Sequence, residues 1–164
     1  MRKEKIELGD LVLVGLTART NNKNEMIPEK SKIGALAGTY WSKQIANQFK
    51  DRIAPGVTYS VYTEFESDEH GEYTYFIGES VSSLKNQDQT KFKSLIIPAS
   101  HYQRFTTEPG KMPEVVIQAW QNIWQMAAKD FGGKRTYIAD FELYDDRAAN
   151  PDKTIVDIYI GINQ

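Results

Sequence analysis

The stretch from Arg135 to Asp146 reads RTYIADFELYDD, and its alternation describes a strand with two different faces. Side chains switch sides at every strand residue, so Tyr137, Ala139, Phe141 and Leu143 form an apolar face while Asp140, Glu142 and Tyr144 point the other way. Part of this stretch has an echo earlier in the chain. Ala139-Asp140-Phe141-Glu142 matches Thr63-Glu64-Phe65-Glu66, and Ile158-Tyr159-Ile160-Gly161 matches Tyr75-Phe76-Ile77-Gly78 in the same order. Ordered echoes of this kind point to a repeated supersecondary unit.

Working outward, the elements fall into the same order twice. Leu11 to Arg19 is an apolar run of β-formers after Gly9-Asp10, and Thr20 to Asn24 is a polar, turn-forming break. A helix capped by Ser31 carries Ile33, Leu36, Ala37, Tyr40, Trp41 and Ile45 at helical spacing until Pro55-Gly56 stops it. Val57 to Glu66 and Tyr73 to Val81 are strands joined by a hairpin at Ser67 to Gly71. Ser82 to Lys91 is polar and aperiodic, a connector. The second half repeats the sequence of elements. Lys93 to Phe105 is a strand bent at Pro98, and Pro113 opens a helix that runs along Val116, Trp120, Ile123, Ala127 and Phe131 to Gly132-Gly133. Arg135 to Tyr144 and Thr154 to Ile162 are the final strands.

The expected fold class is α+β: two strand-helix-strand-strand units, about 6–81 and 92–164, in one domain of 164 residues. Units without short parallel crossovers pair mostly antiparallel and carry both main helices on one face, leaving a ligand cleft between the halves.

Composition narrows the function. Twenty basic and 22 acidic residues leave a net charge of -2, which gives no footprint for a phosphate backbone and argues against direct nucleic-acid binding. Cysteine is absent, which removes disulfide scaffolds, Cys-ligated zinc and thiol catalysis. The expectation is no cofactor and no metal: His70, among Asp68, Glu69 and Glu72, lacks calcium-loop spacing and sits in a hairpin turn. No segment reaches the ~20 apolar residues of a membrane span, and the charged amino terminus lacks a signal-peptide run, so a cytoplasmic location is expected. Aromatic residues reach 12%, enough for a surface that binds flat or cationic molecules.

The segments VGLTARTNN, YTEFESDEHGEYTYFIG, IIPASHYQRF, VIQAWQNIW, ADFELY and IYIGI together resemble the GyrI-like effector-binding domains. These occur as halves of AraC-type and MerR-type transcription activators and as free-standing, integron-associated proteins. The resemblance implies a duplicated strand-helix-strand-strand (SHS2) fold and an aromatic pocket whose glutamate, here Glu142, meets cationic, lipophilic ligands. It also implies walls at Trp120 and Tyr102. KIGALAGTYW has Ala37 where related free-standing members carry Trp, and Tyr40 and Trp41 are placed to refill that space. Trp124 is expected in the core.

The function so implied is effector sensing, with a small organic cation as ligand and a protein partner or second copy carrying any transcriptional output. Two alternatives stand beside it. One is hydrolysis of reactive cyclopropane-type compounds, with Glu142 as base and Tyr102 or Tyr75 as acid. The other is a protein-interaction module of the gyrase-inhibitory kind.

Overall fold

The computed structural model describes residues 1–163. Eight strands form one antiparallel open sheet: β1 (Arg2–Leu8), β2 (Leu11–Thr20), β3 (Thr58–Thr63), β4 (Tyr73–Ser80), β5 (Lys93–Ile97), β6 (Ser100–Thr106), β7 (Ala139–Tyr144) and β8 (Asp157–Ile162). Three helices accompany them: the single turn α1 (Asn22–Glu25), α2 (Ile33–Ser42) and α3 (Glu114–Trp124).

The order across the sheet is β1-β6-β8-β7-β3-β4-β2-β5. Two units are visible in it, β2-α2-β3-β4 and β6-α3-β7-β8, arranged as mirror-ordered trios that meet where β7 pairs with β3. Each unit also lends its leading strand to the other: β1 pairs with β6, and β5 pairs with β2. The expected α+β architecture with antiparallel pairing is the one found.

The sheet cannot be flat. β5 lies at one edge and β6 next to the other, which in a flat sheet separates them by about 29 Å at ~4.8 Å per strand. Only Pro98 and Ala99 link them, a reach of roughly 11 Å. The sheet therefore curls until its ends approach, and the enclosed face fills with Leu13, Val61, Phe76, Ile97, Tyr102, Phe141 and Tyr159. The Phe141 and Tyr159 rings stack there with centroids 4.4 Å apart. Gly15 faces Gly78 across the ladder between β2 and β4, and a Cβ on either would lie 2.0 Å from the opposing backbone carbonyl oxygen. Both positions need glycine for that close approach.

Both main helices cover the opposite face. α2 lies with Tyr40, Phe49, Tyr75, Ile77 and Val14 in one cluster, and α3 with Phe105, Ile123, Phe131, Ile158 and Ile160 in another. The seam between β3 and β7 joins the strands of the two helix-bearing units.

Several element limits differ from the sequence reading. β1 was not expected, because five of its seven residues are charged and only Ile6 and Leu8 pack inward. The expected strand from Lys93 to Phe105 is two strands at opposite ends of the sheet. Ser31 does not cap α2. Its N-terminus is held by Glu25, whose carboxylate accepts from the Lys32 and Ile33 backbone N–H groups. The helix stops at Ser42, before Gln44 in left-handed conformation. α3 ends at Trp124, and a separate 3-10 turn carries Ala128 to Phe131. Arg135 to Ile138 lies outside β7, because Tyr137 sits at φ 53°.

The ladders also correct one of the two echoes. Val61 pairs with Phe76 and Phe141 with Tyr159, so Tyr75 to Gly78 and Ile158 to Gly161 do correspond. Val61 also pairs with Phe141 at the seam, which aligns Tyr59-Ser60-Val61-Tyr62 with Ala139-Asp140-Phe141-Glu142. The Thr63 to Glu66 echo is out of register, and Glu64, at φ 51°, has already left the strand. Tyr62 thus holds the position in the first unit that Glu142 holds in the second.

Candidate functional site

Glu142 lies at the seam, 3% exposed, on the helix-bearing face opposite Ser60 of β3. Its carboxylate is held by three neutral donors from three elements. The Tyr62 hydroxyl donates to Oε2 at 2.8 Å, the Trp120 indole N–H to the same oxygen at 2.7 Å, and the Tyr144 hydroxyl to Oε1 at 2.5 Å. A carboxylate offers about four acceptor positions, so one remains on Oε1.

Four acidic side chains are buried among the described residues: Glu79, Asp140, Glu142 and Asp157. Three of them carry an arginine. Arg52 pairs with Glu79 at 2.8 Å, Arg135 with Asp140 at 2.7 Å and Arg147 with Asp157 at 2.7 Å. Among the described residues Glu142 has no cation, and it is ringed by aromatic side chains instead. Burial pushes its carboxyl above the ordinary carboxylate range, and the hydrogen bonds from Tyr144, Trp120 and Tyr62 pull it part of the way back. Burial, followed by the nearby Glu142 charge, raises the Tyr62 and Tyr144 phenols in turn, so both remain donors.

Tyr62 is the hub of the surrounding rings, with centroids 5.3 Å from Trp120, 5.5 Å from Tyr75 and 5.6 Å from Tyr73. Trp41 of α2 closes the other side, edge-on to Tyr144 at 5.7 Å and 45% exposed at the rim. Tyr40 lies beneath α2, fully buried and 6.1 Å from Trp41.

Of the residues singled out from sequence, the structure puts Trp120 on the Glu142 carboxylate, Tyr75 against Tyr62, Trp41 against Tyr144 and Tyr40 against Trp41. Tyr102 is a correction. Strand alternation puts it on the enclosed face with Phe141, 5.4 Å from that ring, on the far side of the sheet from Glu142. It lines a hollow of about 210 Å³ with Lys5, Ile6, Glu7, His101, Gly132 and Ile162, which does not reach the carboxylate. Trp124 is likewise not core: it is half exposed, 6.3 Å from Trp120 on the rim of α3. Tyr62 and Tyr144 were missed. Tyr144 shares Glu142's face two residues on, a signal present in the strand itself, whereas Tyr62 emerges only from the register between β3 and β7.

A curled antiparallel sheet made from two strand-helix-strand-strand units, with both helices on one face, is the architecture of the GyrI-like class. Within that class, the family model described as "Cass2: Integron-associated effector binding protein" matches residues 6–162, and the chain belongs to this family. A relative from Bacillus subtilis (strain 168), named "Putative transcriptional regulator protein YobU", is 30% identical over 153 residues, spanning 92% of this chain and 91% of its own. The crystal structure of integron cassette protein VCH_CASS2, from the mobile metagenome of Vibrio cholerae, matches with a TM-score of 0.77 and 26% identity over 98% of this chain and 95% of that one. The structure of SAV2435 bound to tetraphenylphosphonium has the same fold, with a TM-score of 0.76 and 19% identity over 99% of this chain and 94% of that one. No helix among the described residues is long and apolar enough to cross a membrane.

Proposed function

We propose that this chain is a sensor of bulky, ring-bearing organic cations, that Glu142 takes the positive charge, and that any transcriptional output runs through a partner protein. The observation that carries the reading is the isolation of Glu142: the other three buried acids have arginines, and this one has only neutral donors.

A buried carboxylate without a counter-ion is held against a desolvation penalty that an incoming cation reverses. At ~4 Å and an effective dielectric near 20 the ion pair is worth about 4 kcal/mol, and each well-placed ring adds about 0.5–2 kcal/mol. Micromolar affinity requires about 8 kcal/mol, so the pair, two or three rings and modest apolar burial suffice. The chain houses a cation of its own in similar surroundings: the Arg135 guanidinium pairs with Asp140 and lies 4.4 Å from the Tyr137 ring centroid. Support also comes from SAV2435, solved with a tetraaryl cation bound, from the effector-binding description of the family, and from the regulator name of YobU. Because Trp120 and Tyr144 close over the resting carboxylate, ligand entry moves one of these donors aside.

Melting the protein with tetraphenylphosphonium and with tetraphenylborate, its anionic counterpart in shape, tests the reading. At 100 times Kd a ligand adds about 2.7 kcal/mol, a rise of roughly 5–11 °C for a chain of this size. The cation alone should produce it; equal responses to both ions would remove charge recognition from the account.

A further inference from the structure

Both main helices carry an outer face almost free of charge. In a chain with 26% charged residues, α2 has none, and α3 has only Glu114 at its first position. The same face exposes large apolar side chains: Trp41 at 45%, Ile117 at 51% and Trp124 at 50%. The solvent face of an amphipathic helix ordinarily carries charged and polar groups, and depletion of charge together with exposed tryptophan marks the core of a protein interface.

The two helices are not alike on this face. The register that matches Tyr75 with Ile158 also matches buried Tyr40 with buried Ile123, and it sets Gly34, Gly38 and Trp41 of α2 against Ile117, Gln121 and Trp124 of α3. Each trio has the i, i+4, i+7 spacing of a single helical stripe. α2 is low, because a Cβ on Gly34 or Gly38 would meet nothing within 4 Å, while α3 stands proud with half-exposed Ile117 and Trp124. The two units meet through the antiparallel pairing of β3 and β7, so their helices run in opposite directions. A twofold axis lying between the helices and along them sets α2 of one copy antiparallel on α3 of the other, ridge into depression, twice. It also brings exposed Lys43, at the end of α2, beside exposed Glu114 of the second copy. We infer that this uncharged helical face docks a second copy of the chain. At ~1.5 Å per residue and ~10 Å between axes, the two helices cover about 15 by 20 Å. That is small beside the ~800 Å² per partner of a standard interface, so the pairing is weak and concentration-dependent. It uses the outside of the helices and does not depend on the reading of Glu142.

Sedimentation equilibrium of the full chain across about 5–500 μM, the range of a weak pairing, tests the inference. Wild type should pass from monomer to dimer and no further, since a twofold contact closes on itself. Ile117→Lys and Gly38→Arg each place a charge in the uncharged centre and should leave the chain monomeric over that range, without a fall in melting temperature because both positions face water. Lys43→Glu alone should weaken dimerisation roughly 2- to 30-fold, two exposed ion pairs being lost at once, and adding Glu114→Lys should recover it. A monomer throughout overturns the inference and leaves the face to a different protein. A dimer untouched by Ile117→Lys and Gly38→Arg overturns it by placing the contact elsewhere, and a double reversal that recovers nothing overturns the antiparallel arrangement.

Discussion

Replacing Trp120 by Phe removes one N–H donor from Glu142 and keeps most of the ring that packs 5.3 Å from Tyr62. A hydrogen bond to a charged group contributes about 1.5–3 kcal/mol. At roughly 2–4 °C per kcal/mol for a chain of this length, the melting temperature near neutral pH should fall by about 3–12 °C. The Trp120 bond favours the ionised carboxyl, opposing the upward push of burial. Its charge-assisted part is therefore fully present above the carboxyl pKa and lost as pH falls through it. The gap between wild type and variant should narrow toward acid, and the Glu142 carboxyl should titrate higher in the variant. Calorimetric melts over a pH series report the first effect. Infrared titration of the carbonyl stretch, assigned by difference from Glu142→Gln, reports the second. A melting gap independent of pH, with an unmoved carboxyl titration, would refute the electrostatic part of the reasoning.

Asp140→Ala leaves the Arg135 guanidinium, 12% exposed, without its carboxylate, and should destabilise the fold by about 3–5 kcal/mol in denaturant unfolding; a loss below ~1 kcal/mol would mean that water already solvates the pair. Gly78→Ala places a methyl 2.0 Å from the Val14 carbonyl oxygen and should cost about 1–3 kcal/mol or more by forcing β2 and β4 apart, visible as faster amide exchange on both strands. Glu25→Ala removes the acceptor for the Lys32 and Ile33 N–H groups and should cost about 0.5–2 kcal/mol, with lost exchange protection confined to the first turn of α2 if the cap acts locally.

Much of the fold was legible because alternation and helical spacing report burial directly. β7 shows this best: its period put Phe141 and Glu142 on opposite faces, and the structure agrees. Sequence reading failed where a residue's role depends on a distant partner. β1 looks like a charged tail until β6 is available to pair with it. Glu25 caps α2 from seven residues away from Lys32, where a local reading selects Ser31. Tyr102 was expected as a pocket wall, yet its strand partner Gly161 shares the face of Tyr159 and Phe141. At the site, Glu142 and Tyr144 could be read from one strand, but Tyr62 reaches the carboxylate only because Ser60 pairs with Glu142, a register that no local pattern encodes.

The most direct measurement is a calorimetric titration of tetraphenylphosphonium into wild type and Glu142→Gln at several pH values. On the proposed reading only the ionised carboxylate takes the cation, so wild-type affinity should fall as pH drops through the raised Glu142 pKa, while the variant should bind weakly and evenly throughout. Equal affinities for the two proteins, or a wild-type affinity indifferent to pH across that range, would contradict the assignment of the positive charge to Glu142.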